Sequence, residues 1–272
     1  MSRPTIVVFA VLVPLLWGIR PAAAVDLKLD GLTAEESGRT IFEAADQLED
    51  GYADMQVDLE MVLRGRGGSE VHRQLRIKQL EVPEDGDKLL VVFDTPKPIK
   101  GTALLSVTHK RAPDDQWLYL PAMKRVKKIA SQNKSGPFLS SEFAYEDLTV
   151  QEVEKFGYRF LGEDKIDGSD CFVVERTPLD DFSGYSRQQV WIDQDELRVL
   201  RIEYFDRRDS LLKTLTIDQY ARYEDQFWKA GRMYMTNHQT DRSTELFWRN
   251  YRFRTGLMDE RDFSTNSLLR VR

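Results

Sequence analysis

From Met55 onward, apolar and polar side chains alternate with a period of two. Met55, Val57, Leu59, Met61 and Leu63 are interleaved with Gln56, Asp58 and Glu60, and Gly65-Arg66-Gly67-Gly68-Ser69 then breaks the pattern. That is the signature of a half-buried strand followed by a hairpin turn. The same logic predicts strands over Val71 to Val82, Lys88 to Phe93 and Lys100 to His109, separated by Pro- and Gly-containing links. Further strands are predicted at Val153 to Leu161, Cys171 to Arg176, Tyr185 to Ile192, Leu197 to Asp206, Leu211 to Tyr223, Phe227 to Thr240 and Thr244 to Phe253. With a hairpin near Trp117 this gives roughly eleven to thirteen strands, nearly all joined by short turns that force antiparallel neighbours. Strand twist accumulates, so a meander of that size curls into a curved antiparallel sheet, an open or partial barrel. The predicted class is mainly β, with a few covering helices.

Before Met55 the period is helical. Thr33 with Glu36, and Thr40 with Glu43, both have capping-box spacing, so the start is ambiguous, and Gly38 between them is a place where the segment could split. Ile41, Phe42, Ala44, Ala45 and Leu48 form one apolar face suited to covering a sheet, and Gly51 is placed to end the helix. Earlier still, Arg3, an apolar run from Ile6 to Ile19 and Pro21-Ala22-Ala23-Ala24 read as a secretory leader cleaved after Ala24, with an uncleaved membrane anchor as the alternative. Val25, not cysteine, follows the cleavage point, so the mature protein is expected free in the periplasm or secreted. Residues 25–272 show neither an internal repeat nor a composition shift and are read as one domain.

Loss of a leader containing Arg3 and Arg20 takes the formal charge from -6 to -8. An acidic surface argues against nucleic acid as a partner. The lone cysteine, Cys171, has no internal disulfide partner and lies in an apolar run, so it reads as a small buried hydrophobe.

The stretch from Trp117 to Leu148 is less regular and more informative. Trp117-Leu118-Tyr119-Leu120 is a strand, Pro121 fixes a turn, and Arg125 to Ile129 returns as a second strand. A polar Ser131 to Pro137 run then leads into Phe138, Leu139, Phe143, Tyr145 and Leu148, which reads as a flexible lid carrying large apolar groups. Trp117-Leu118-Tyr119-Leu120-Pro121-Ala122 with its basic run, Phe138 through Asp147, and Val190-Trp191-Ile192-Asp193 together resemble the outer membrane lipoprotein-sorting proteins. These are relatives of the LolA and LolB periplasmic carriers and are often associated with transporters of the RND superfamily. The resemblance implies a LolA-like partial barrel covered by helices and a lid, a lipid or lipoprotein whose acyl chains lie in an apolar cavity, and an inner-membrane RND-type exporter as partner. It implies a cavity and lid drawn from Trp117, Tyr119, Phe138, Leu139, Phe143, Tyr145, Trp191, Met233 and Met235. Lys124, Arg125, Lys127 and Lys128 would form a basic mouth, although lysines on a hairpin tip also serve simply to block edge-to-edge pairing.

No catalytic constellation accompanies this scaffold. His72, His109 and His238 lie on separate strands, and neither a nucleophile elbow, a phosphate loop nor a metal-ligand spacing occurs. No cofactor is expected. Asp193, Asp195 and Glu196 read as a solvated turn, and Glu142, Glu146 and Asp147 as acids explained by solvation or lid closure. The expectation is therefore a carrier or chaperone that works by binding. Two alternatives stay open from sequence: a periplasmic sensor on the same fold, and a hydrolase of an envelope lipid or glycan with residues converging from distant positions.

Overall fold

The computed structural model describes Val25 and residues 27–271; the expected leader and its cleavage point lie outside the described residues. The first half contains helix α1 (Ala34–Glu49) and strands β1 (Asp54–Arg64), β2 (Glu70–Leu80), β3 (Lys88–Thr95), β4 (Ala103–Val107), β5 (Asp115–Leu120) and β6 (Arg125–Lys128). After an irregular connection come β7 (Phe156–Ile166), β8 (Ser169–Pro178), β9 (Tyr185–Asp193), β10 (Val199–Asp206) and β11 (Leu211–Asp218). The chain ends with β12 (Ala221–Tyr223), β13 (Phe227–Lys229), β14 (Arg232–Asn237), β15 (Arg242–Phe253) and two single-turn helices, α2 (Asp259–Asp262) and α3 (Thr265–Leu268).

Thirteen strands form one antiparallel sheet in the order β6-β5-β4-β3-β2-β1-β15-β14-β11-β10-β9-β8-β7. The sheet is not closed, because β6 and β7 are its two edges. The expected mainly β architecture, one curved antiparallel sheet left open, is therefore the fold. A bulge in β15, where Asn250 adopts φ 58°, shifts its register against β1 and adds local twist.

Strand alternation sorts the side chains onto two faces. The inner face carries Val57, Leu59 and Met61 of β1, Leu75 and Ile77 of β2, Phe172 and Val174 of β8, and Leu215 and Ile217 of β11, all in one buried cluster with Ile41 and Phe42 of α1. The outer face is covered only in part. There Leu90, Val92, Ala103 and Leu105 are capped by Phe263 and Leu268 from the C-terminal turns, tied down by the Lys78–Asp262 pair at 3.0 Å. A second outer patch contains Cys171, which is free and buried against Val173 and Trp191, as its sequence context suggested.

Three local readings are corrected. The expected strand from Val153 begins at Phe156, because Val153–Lys155 forms a 3-10 turn. The expected long strands at Leu211 to Tyr223 and Phe227 to Thr240 each break in two. Gln219 turns into the left-handed region (φ 56°), and Gly231 donates its N–H to the Gln219 carbonyl at 3.0 Å, so β12 and β13 peel away as a separate ribbon. Asp193 is not solvated but buried, with its carboxylate accepting from the Glu196 and Arg198 backbone N–H groups and from Arg198 Nε at 2.7 Å.

Helix α1 starts at Thr33, whose hydroxyl accepts from the Glu36 N–H while the Glu36 carboxylate accepts from the Thr33 N–H. It runs unbroken through Gly38, which is present for close approach: a Cβ there would stand 2.8 Å from the backbone nitrogen of Phe160 in β7. Alanine in place of glycine within a helix would by propensity alone stabilise by about 1 kcal/mol. The clash with an edge-strand backbone opposes this. Gly38→Ala is expected to destabilise by about 1–3 kcal/mol in urea unfolding, whereas Gly157→Ala, where a Cβ meets nothing within 4 Å, should leave stability within about 0.5 kcal/mol. Equal behaviour of the two variants would remove the packing role assigned to Gly38.

Candidate functional site

Because β6 and β7 are consecutive in the chain yet lie at opposite edges, residues 129–155 must travel from one edge of the sheet to the other. They do so along the inner face. Pro137 and Ala144 form an isolated antiparallel bridge, and Phe138 N–H donates to the Phe143 carbonyl at 2.7 Å, making a tight loop. Its tip, Leu139 (φ 45°) and Ser140 (φ 68°), holds two non-glycine residues in the left-handed region, a conformation that persists only when surrounding contacts enforce it. Phe138 is fully buried, 5.6 Å from the Phe93 ring and 5.5 Å from Tyr145. Phe143 is buried too, so the segment read from the sequence as a flexible lid fills the inner face as a plug.

The plug is pinned mostly through groups that the strands supply. Arg73 on β2 donates to the Leu139 carbonyl at 2.7 Å, and Arg242 on β15 to the Ser140 carbonyl at 2.9 Å. Glu142 N–H donates to Thr244 Oγ1, and the Glu142 carboxylate accepts from Asn237 at 2.7 Å and faces Arg242 at 3.1 Å. At the centre, Lys213 Nζ reaches Asp147 Oδ2 at 2.6 Å and the Glu142 carbonyl at 3.0 Å. Both side chains of that ion pair are nearly sealed, 3% and 5% exposed. Tyr185 donates to Asp147 at 2.8 Å, and burial beside that carboxylate raises the phenol pKa well above its ordinary value, keeping it a donor. Glu146 accepts from Ser183 Oγ at 2.7 Å and Gly184 N at 2.9 Å; burial, then the neighbouring Asp147, raises its pKa. Glu142, Glu146 and Asp147, read from the sequence as explained by solvation or lid closure, are thus part-buried and partnered.

Arg176 on β8 lies in the same wall. Its Nε donates to Gln188 at 2.7 Å, and its guanidinium sits 4.5 Å from the Phe156 ring centre and 5.5 Å from Phe42. Among the described residues no carboxylate reaches it, although it is only 6% exposed. Burial lowers its pKa, but a guanidinium still holds its proton at any physiological pH.

A cavity of about 490 Å³ opens beside the plug. Its rim is formed by the loop at residues 110–114 and by Leu179 and Phe182, both well exposed at 65% and 48%. Its floor reaches Phe156, Asp147, Tyr185 and Gln188. Its lining mixes apolar groups, such as Val150, Phe156, Leu179 and Phe182, with side chains of both charges, and a site of this size and mixed character suits an amphiphile.

The residues singled out from sequence divide between the two faces. Phe138, Leu139, Phe143, Tyr145, Met233 and Met235 meet in the inner cluster. Trp117 and Tyr119 instead pack on the outer face beneath the C-terminal turns, and Trp191 lies in the Cys171 patch, hydrogen-bonded to Asp164 at 2.9 Å. Lys124, Arg125, Lys127 and Lys128 stand on the β5–β6 hairpin and do not line the cavity; Lys128 pairs with Asp115 at 2.6 Å. Arg73, Arg176, Gln188 and Lys213 escaped the sequence reading. Each had a visible signal, since each extends an inner-face row: Arg73-Leu75-Ile77, Phe172-Val174-Arg176, Gln188-Val190-Ile192 and Lys213-Leu215-Ile217. A charged residue in phase with an apolar row must be buried and partnered.

This arrangement has close counterparts. An outer membrane lipoprotein-sorting protein domain from Vibrio parahaemolyticus is 47% identical over 86% of this chain and 99% of its own, with a TM-score of 0.84. The chain belongs to the outer membrane lipoprotein-sorting protein family. A DUF1329 family protein from Desulfovibrio piger is 29% identical, covering 87% of this chain and all of the other, with a TM-score of 0.82. A LolA superfamily protein from Nitrosomonas europaea shares the fold at 19% identity, 87% and 100% coverage and a TM-score of 0.69. A family described as "uncharacterized protein" matches residues 85–270. No curated protein matches this lipoprotein-sorting family member.

The far end of the plug supplies a pH test. Glu152 is buried, accepts from the Asp87 N–H at 3.2 Å, and faces Asp87 and Asp46 with Lys110 nearby. Burial, against the pull of that hydrogen bond, pushes its carboxyl from 4.5 to about 7, with the two acids adding to the rise. A raised folded-state value means stabilisation that is complete below about pH 4.5 and is lost as pH climbs through about 7. Glu152→Gln keeps an acceptor oxygen and removes the charge. It should unfold at higher urea than wild type at pH 8 and at the same urea at pH 4; a loss of stability at both would contradict this account.

Proposed function

We propose that this family member is a periplasmic carrier that shelters the acyl chains of a lipid or lipoprotein on the inner face of its open sheet. The observation that carries the reading is the plug. The apolar inner face is filled by a separate segment, hung on strand-supplied hydrogen bonds and one buried ion pair, in a sheet that has an opening between β6 and β7. The energies allow exchange. Each buried ring of the plug contributes ~1.5–3 kcal/mol, while an acyl chain gains ~0.8 kcal/mol per buried CH₂, so a chain of about fourteen methylenes outweighs Phe138 and Phe143 together. The lipoprotein-sorting relative and the shared fold support the same reading.

The reaction is binding and release rather than chemistry, and no helix among the described residues is long and apolar enough to cross a membrane. An RND-type exporter of the inner membrane is the partner the family resemblance suggests, which capture of that transporter on the immobilised protein would test. The carrier reading itself is tested by native mass spectrometry of protein purified from its own periplasm, beside titration with a fluorescent fatty acid or lipopeptide. A co-purifying acyl lipid and saturable binding are expected. A bare protein that binds neither probe would overturn the reading, and turnover of lipid extracts would replace it with a hydrolase.

A further inference from the structure

The chemistry of the plug says what it stands in for. Phe138 and Phe143 occupy the apolar part of the inner face, and a few residues on, Asp147 places a carboxylate on a lysine that projects from an otherwise apolar row. Lys213 has no water-exposed alternative: it is 3% exposed, and its ammonium lies 5.0 Å and 4.9 Å from the ring centres of Tyr185 and Tyr204. The cation of this pair, Lys213, belongs to the wall on β11, whereas the carboxylate that balances it, Asp147, belongs to the plug. When the plug leaves, it takes the counter-charge with it. The wall would then keep the desolvated Lys213 ammonium between two aromatic rings with no counter-charge, which is costly unless another anion arrives.

Resting on the carrier reading above, we propose that the cargo is an anionic amphiphile, whose carboxylate or phosphate head takes the place of Asp147 on Lys213 while its acyl chain takes the place of Phe138 and Phe143. The plug is thus an internal copy of the cargo, with an anionic group and apolar groups matched to the same two parts of the wall. The cavity reaches the pair, since its lining, which carries acids and bases together, includes Asp147, Tyr185 and Gln188, and Gln188 holds the guanidinium of Arg176, with which no carboxylate among the described residues pairs. Tyr185, which donates to Asp147, would donate equally to a phosphate or carboxylate oxygen. A neutral amphiphile could supply the chain but would leave Lys213 unpaired.

The test measures affinities of four single-chain probes of matched chain length: palmitate and palmitoyl lysophosphatidylglycerol as anions, palmitoyl lysophosphatidylcholine and monopalmitoylglycerol as the zwitterionic and neutral controls. Wild type should prefer both anions by about tenfold or more. If only one anion is preferred, the head is assigned to that chemistry, carboxylate or phosphodiester. In Asp147→Asn the internal competitor is gone while the wall cation stays, so anion affinity should rise about tenfold further with little change for monopalmitoylglycerol. The double variant Lys213→Met with Asp147→Asn removes both charges and should bind all four probes alike. Should that variant fail to fold, the single Asp147→Asn protein still decides, because anions must raise its Tm more than the neutral probes do. Saturable binding without anion preference in wild type and Asp147→Asn overturns this inference and leaves the carrier reading standing. Absence of binding by any probe overturns both.

Discussion

The structure depends on one topological constraint: the two free edges of the sheet, β6 and β7, are neighbours in sequence. A meander that closed on itself would join them by backbone hydrogen bonds. Here they stay apart, and the chain between them has to cross the opening. A segment that crosses inside must bury its backbone polar groups as well as its side chains, and each needs a partner. That requirement explains the unusual density of side-chain to main-chain bonds around residues 138–147, where Arg73, Arg242, Thr244 and Lys213 serve carbonyls and amides that no strand could pair. Gly184 belongs to the same constraint, since a Cβ there would stand 2.8 Å from Ser135 and 3.0 Å from the Glu146 carboxylate.

The plug therefore has two kinds of attachment with different consequences. Burial of Phe138 and Phe143 is non-directional and can be replaced by any apolar group of suitable size. The Lys213–Asp147 pair is directional, and removing one member of a buried pair costs about 3–5 kcal/mol because it strands the other. An occupant that supplies only apolar area meets half of the requirement. Edge protection completes the picture: α1 lies against β7 through Gly38, and β6 is short and carries exposed charge, so neither edge offers a long flat surface for another chain.

Much of the scaffold was legible in the sequence because period-two alternation with short turns leaves little choice of topology. The capping box at Thr33 and the hairpin at Pro121 were local signals that tertiary packing did not override. The readings that failed were those where the chain breaks its own period. Gln219 and Gly231 interrupt apparently continuous strands because of a backbone contact between distant positions, which no local pattern encodes. At the candidate site, aromaticity was a poor guide: Trp117, Tyr119 and Trp191 are as aromatic as Phe138, but strand parity sends them to the outer face. The better guide was parity itself. Arg176 and Lys213 were written into inner-face rows, and reading charge against phase would have found the wall cations before any coordinates.

The central claim is that the plug and the cargo occupy the same place, so that binding must release residues 138–148 from the inner face. Hydrogen exchange measured with and without palmitate or a lipopeptide tests this directly. The account predicts that the amides of Phe138, Ser141 and Phe143, protected in the empty protein, exchange faster when cargo is bound, while amides of the central strands β1 and β15 keep their protection or gain more. Saturated binding with unchanged or increased protection across residues 138–148 would contradict it, and would place the cargo elsewhere on the molecule.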